Sequence, residues 1–223
     1  MAHQPMLLIT IDGPAGAGKT TVSKMLARKL GYRYLDTGAL YRAVAFAVRA
    51  AGIQPGDERG LADVCRTVRL SIEGDRLVLN GVDITQRIRS PEISMLASAV
   101  SARPVVRQAL LDIQRDVGRT GGLVAEGRDM GTVVFPEADL KFFLDATTRQ
   151  RALRRFAQYD EGSGQTLAQI EQDIRRRDQN DSSRDIAPLR PADDAVIIDS
   201  TAVTARQVVD AMMARVRRVT DQP

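Results

Sequence analysis

The chemistry of this chain concentrates between positions 12 and 21, which read Asp12-Gly13-Pro14-Ala15-Gly16-Ala17-Gly18-Lys19-Thr20-Thr21. Gly13 to Thr20 satisfy G-x-x-x-x-G-K-[ST] in full, the pattern of a phosphate cradle. Its glycines let the backbone turn so that successive N–H groups point inward at phosphate oxygens. A helix opening near Lys19 adds the positive end of its dipole. Lys19 has the reach to meet the β- and γ-phosphates of a nucleotide, and the Thr20 hydroxyl is a ligand for Mg²⁺. Residues 13–21 are therefore the expected ATP site, with Mg²⁺ as the expected cofactor. The dinucleotide fingerprint G-x-G-x-x-G is not met, because Gly16-Ala17-Gly18 runs on into Lys19-Thr20-Thr21.

Arginine supplies the second signal. The chain carries 32 Lys+Arg against 28 Asp+Glu, a net charge of +4, yet Lys19, Lys24, Lys29 and Lys141 are its only lysines. A guanidinium fork matches phosphate oxygens in pairs, so anionic ligands suit this composition; an arginine-preferring genome explains it equally well. The single histidine, His3, stands in a short polar opening segment, so no histidine base or metal ligand is expected. Cys65 has no partner for an internal disulfide and sits among Leu61, Val64 and Val68, the setting of a core thiol. The apolar run Met6–Ile11 is too short to span a bilayer and has no basic leader. A cytoplasmic chain without membrane partners is expected.

These residues need a scaffold, and the hydrophobic pattern describes one. Leu7–Ile11 reads as a strand buried on both faces, followed by the glycine loop and a helix through Val22, Met25, Leu26 and Leu30 that Gly31 ends. A strand over 32–35 leads to a helix over 39–51. Residues 68–72, 76–79 and 82–84 read as short strands around the turn signals Gly74-Asp75 and Asn80-Gly81, a small antiparallel insertion. Asp57-Glu58-Arg59-Gly60 reads as a polar loop. Helices are expected over 91–101 and 104–117, strands at 123–125, 140–144 and 196–198, and a last helix over 205–219. Thr147 with Gln150 and Thr204 with Gln207 have capping-box spacing. The fold class is α/β: a P-loop parallel sheet covered by helices on both faces, with an antiparallel β/α insertion and a helical lid. One domain is expected, with a core over about 5–37, 118–148 and 185–223, an insertion over 38–117 and a lid over 149–184.

Several segments together resemble the bacterial cytidylate kinase family: Asp12–Thr20, Leu35-Asp-Thr-Gly-Ala-Leu-Tyr-Arg42, Glu126-Gly-Arg-Asp-Met-Gly-Thr-Val-Val-Phe-Pro136, Arg175-Arg-Arg-Asp178 and Ala187-Pro-Leu189. The resemblance spans nearly the whole chain and implies transfer of the γ-phosphoryl group of ATP to CMP, and to dCMP, by a monomer. It implies that Arg42, Arg128 and Arg184 hold the acceptor phosphate and that Ser98, Arg107 and Asp129 read cytosine, with Thr37 nearby. Arg177 and Asp181 would hold the ribose, and Arg151 and Arg155 would belong to a lid over the ATP phosphates, near the flexible stretch Glu161–Gly164. By this reading Lys19, Arg128, Arg151 and Arg155 are the catalytic residues. Glu126, where many members carry aspartate, would stand near the metal's water shell.

Two other readings remain open on sequence. One is another small-molecule kinase, acting on UMP, AMP or shikimate. The other is a basic nucleic-acid-binding ATPase, which the pI of 9.6 suits. No helix-turn-helix signal, aromatic stacking platform or tryptophan accompanies it, so no nucleic-acid partner is expected, and the lack of an N-K-x-D guanine motif argues against a GTPase.

Overall fold

The computed structural model describes residues 6–74, 76–158 and 164–221. His3 and residues 161–163 of the expected lid loop lie outside the described residues. The chain divides into two units. The first comprises residues up to 35, 117–183 and from 187 onward; the second comprises 36–116 and 184–186.

Unit one is built on a five-stranded sheet of β1 (Leu8–Asp12), β2 (Arg33–Asp36), β6 (Leu123–Glu126), β7 (Leu140–Asp145) and β8 (Val196–Asp199), in the order β2-β6-β1-β7-β8. Strand β1 pairs in parallel with β6 and β7, and β7 with β8. Ile9, Thr10, Ile11 and Asp12 are buried in succession, so both faces of the central strand are covered, as its unbroken apolar run requires. Helices α1 (Lys19–Leu30) and α8 (Ala205–Thr220) close one face, where Val22, Leu26, Val208 and Met212 meet Ile9, Ile11, Phe142 and Leu144. Gly31 ends α1 at φ 67°, a left-handed conformation in which glycine carries no Cβ penalty.

Two further helices of this unit, α6 (Thr148–Phe156) and α7 (Leu167–Ser182), pack through Ala152, Ile170 and Ile174. Thr147 caps α6 by accepting the Gln150 N–H. Both Thr204–Gln207, at α8, and Thr166–Gln169, at α7, form complete capping boxes. In sheets of this kind ligands bind outside the carboxyl ends of the strands, and the glycine loop follows the carboxyl end of β1.

Unit two holds α2 (Thr37–Ala50) packed on α4 (Pro91–Val100), with α3 (Glu58–Thr67), most of α5 (Pro104–Gly118) and a three-stranded antiparallel sheet. That sheet joins β3 (Leu70–Glu73), β4 (Arg76–Leu79) and β5 (Val82–Asp83). Asn80 and Gly81 both take positive φ between β4 and β5, as an Asn-Gly hairpin turn demands. One expectation is corrected here. Asp57-Glu58-Arg59-Gly60 is the start of helix α3 and not a loop: the Asp57 carboxylate caps the helix by accepting the Gly60 N–H.

Candidate active site

The glycine loop opens as the sequence requires. Gly13, Gly16 and Gly18 take φ of 142°, 80° and 95°. Gly18 stands at the N-cap of α1 and provides no side-chain cap, so the first-turn amides remain available to an anion. Thr20, in that first turn, is exposed. A hydroxyl beside the phosphates is a hard oxygen donor of the kind Mg²⁺ takes, with its remaining positions filled by phosphate and water. Thr20 fits that ion as a protein ligand.

Lys19 is buried and donates to the Pro14 carbonyl at 2.7 Å. Burial, and next the Arg128 guanidinium, push its ammonium down to about 7, while Glu126 and Asp12 pull the other way. A buried cation whose charge is disfavoured in the empty site gains from an arriving polyanion. Glu126, at the end of β6, is itself buried and accepts a short hydrogen bond from the Tyr34 hydroxyl on β2. Lys24 lies over the ring of the same tyrosine, 5.4 Å from its centroid.

Asp12 joins the cradle to the next motif. Its two carboxylate oxygens accept the Met130 N–H at 2.9 Å and the Gly131 N–H at 2.8 Å. Burial raises its pKa to about 7 against the pull of these two donors; nearby Asp129 adds to the rise and Lys19 opposes it. Residues 130–134 form a π-helical turn, with Phe135 N bonded to Met130 O at 2.7 Å. Such turns recur where a side chain must be aimed. This one directly follows Arg128 and the buried Asp129.

The site residues expected from sequence fall into two sets. In unit one, Arg128 Nε donates to Asp181 Oδ2 at 3.0 Å, and Arg177 Nε approaches the same oxygen at 3.8 Å. Asp181 is 2% exposed, so two guanidinium groups share a carboxylate out of water. Asp129, Arg151 and Arg155 belong to this unit as well. Arg151 is also buried, and its fork is engaged by the Ala146 and Ala15 carbonyls, Thr148 and Asp178.

In unit two, Asp36 caps α2 through the Ala39 N–H and pairs with Arg42 at 2.9 Å. The fully buried Thr37 follows it. Arg107 lies over the Tyr41 ring and donates to the Ser101 carbonyl at 3.2 Å. The Ser101 hydroxyl donates to the Ser98 carbonyl at 2.9 Å and accepts from Arg184 at 3.1 Å. Ser101 thus ties together Ser98, Arg107 and Arg184, three residues that sequence singled out, although it was not among them. Its position three residues after Ser98, at the end of α4, was the available signal. Tyr34 was likewise missed, because nothing in sequence pairs it with Glu126.

The profile of the cytidylate kinase family matches residues 9–218. The chain belongs to that family. It is 48% identical to the cytidylate kinase of Geobacter sulfurreducens, over 95% of this chain and 93% of that protein. It is 45% identical to the cytidylate kinase of Citrifermentans bemidjiense over the same shares. Among solved structures, a gluconokinase from Sinorhizobium meliloti matches with a TM-score of 0.52 at 14% identity, covering 98% of this chain and 96% of that one, a likeness of fold alone. Among the described residues no helix is long and apolar enough to cross a membrane.

Proposed function

We propose that this protein transfers the γ-phosphoryl group of ATP to CMP, and also to dCMP, producing ADP and CDP or dCDP. The observation that carries the reading is a complete P-loop accompanied by the family's arginine sets, in a chain 48% identical to a cytidylate kinase. An oxygen of the acceptor's phosphate attacks the γ-phosphorus, the bond to the β,γ-bridging oxygen breaks, and ADP leaves. That acceptor phosphate has a second pKa near ~6, so it is already largely ionised at neutral pH and needs no general base.

The difficulty is electrostatic, since two polyanions must be brought in line. Positioning and charge stabilisation by forked donors answer it. Lys19 and the amides of residues 13–21 hold the ATP phosphates. Thr20 would hold Mg²⁺, which would supply charge neutralisation of the donor phosphates. Arg42, Arg128 and Arg184 hold the acceptor phosphate, Arg177 and Asp181 the sugar hydroxyls, and Arg155 closes over the donor.

Ser98, Arg107 and Asp129, with Thr37 beside them, read the base. A carboxylate accepts from the exocyclic amine of cytosine, which uracil replaces by a carbonyl. An unpaired buried polar group costs about 1–3 kcal/mol, so CMP is favoured over UMP by roughly ten- to hundred-fold. The reading includes a cytoplasmic monomer without nucleic-acid or membrane partners. A panel of CMP, dCMP, UMP, AMP and shikimate with coupled ADP detection tests it. CMP should give the highest kcat/KM, and a panel led by AMP or shikimate overturns the reading.

A further inference from the structure

A phosphate nest needs its amides turned inward, and the carbonyls between them must then be satisfied from behind. In this protein α6 satisfies them. Arg151 Nη1 donates to Ala15 O at 3.1 Å, and Arg154 Nη1 donates to Ala17 O at 3.2 Å. The Ser200 hydroxyl, which accepts from Arg154, has its one hydrogen between the same Ala17 oxygen at 3.0 Å and the Asp145 carbonyl at 2.9 Å. The two chains run so close that a Cβ on Gly16 would lie 3.0 Å from Arg151 Cβ and 3.2 Å from its carbonyl oxygen.

Arg151 is held on every side. It is 4% exposed; Nε donates to Ala146 O at 2.9 Å, and Nη2 donates to Thr148 Oγ1 at 3.2 Å and to Asp178 Oδ2 at 2.6 Å. Four of its five N–H donors have protein partners, one or more on each of its three nitrogens, so the fork is fixed out of water and cannot swing to follow a nucleotide. Asp178 lies on α7, one residue after Arg177 and three before Asp181. The counter-ion that orients Arg151 therefore stands on the helix that carries the sugar-binding pair.

We infer that Arg151, oriented by Asp178, is a positioning residue that presets the ATP cradle through the Ala15 carbonyl, and does not touch the phosphates. This rests on the kinase reading above and departs from the lid role that the resemblance implies. Arg154 and Ser200 do the same for Ala17.

Two variants test it. Arg151→Lys keeps the charge but cannot hold Ala15, Ala146 and Asp178 together; Asp178→Asn keeps the shape but removes the ionic partner. Calorimetric titration should show ATP affinity falling at least ten-fold in Arg151→Lys and by a smaller factor in Asp178→Asn, with CMP affinity unchanged within two-fold. In the nucleotide-free protein, hydrogen exchange should quicken at the amides of residues 15–18 and stay unchanged in β1 and β7. Loss of both affinities in step with Tm would reduce Arg151 to a general packing role. Weakened ATP binding with unaltered exchange in the free protein would put it on the phosphates. Either result overturns the inference. The exchange measurement uses no nucleotide, so it stays decisive even if the acceptor panel were to refute CMP as substrate.

Discussion

Alanine substitutions at the three cradle glycines should rank by the space behind each, and the structure gives that space. All three residues have φ between 80° and 142°, so a side chain incurs about 1–2 kcal/mol of left-handed strain at each. At Gly18 the nearest atom to a new Cβ is Arg154 Nη1 at 3.9 Å, an ordinary contact, and strain is the whole cost. At Gly16 the Cβ would meet Arg151 Cβ at 3.0 Å, so α6 must yield, adding about 1–3 kcal/mol of overpacking. At Gly13 the Cβ would fall 2.0 Å from the Leu144 carbonyl oxygen. That oxygen is main chain in β7, which is paired on both sides, so nothing can swing away. The cost there exceeds about 5 kcal/mol, comparable with the whole stability of a domain. Urea unfolding followed by circular dichroism should give losses of about 1–2 kcal/mol for Gly18→Ala and about 2–5 for Gly16→Ala, with no folded Gly13→Ala. A folded Gly13→Ala within 2 kcal/mol of wild type, or a Gly18→Ala that is the worst of the three, would refute the reasoning.

Three further outcomes are expected. Lys19→Ala should lower kcat by at least about 10²-fold, as loss of a charge-stabilising donor does. Its Tm should hold or rise, since burial disfavours this ammonium; near-normal turnover would contradict the assignment. Tyr34→Phe removes a donor from the buried Glu126 carboxylate and should cost about 1.5–3 kcal/mol in denaturant unfolding. An unchanged midpoint would show that the bond contributes nothing. Cys65 is half-buried and its thiol is pushed up by burial, so its alkylation should reach half-maximal rate above the usual thiol pH. Because the folded state favours the neutral thiol, its contribution to stability is present at neutral pH and fades as pH rises through the shifted value. Alkylation as fast at neutral pH as a free thiol's would count against burial as the cause.

What sequence disclosed was local. The cradle, its flanking strand and helix, and the Asn80-Gly81 turn follow from backbone rules acting over a few residues. So do the capping threonines, and Thr166 with Gln169 carries the same signature as the two boxes expected from spacing. Asp57–Gly60 misled because an aspartate three residues before a glycine suits a polar loop as well as a helix N-cap. Only the apolar Leu61 and Val64 that follow, buried on one face of α3, decide between the two. The partners of the site residues were hidden for another reason. Asp12 meets Met130, Tyr34 meets Glu126 and Arg151 meets Ala15 across gaps of 92 to 136 residues, which no periodicity encodes. The resemblance supplied arginine positions but not which of them the protein itself engages.

The central claim is that the γ-phosphoryl group leaves ATP for the phosphate of a cytidine nucleotide. ATP labelled in the γ-phosphate, incubated with the protein, Mg²⁺ and CMP, should deliver its label to CDP in equal amount to the ADP formed. Label recovered as inorganic phosphate, or ATP left intact, would contradict it.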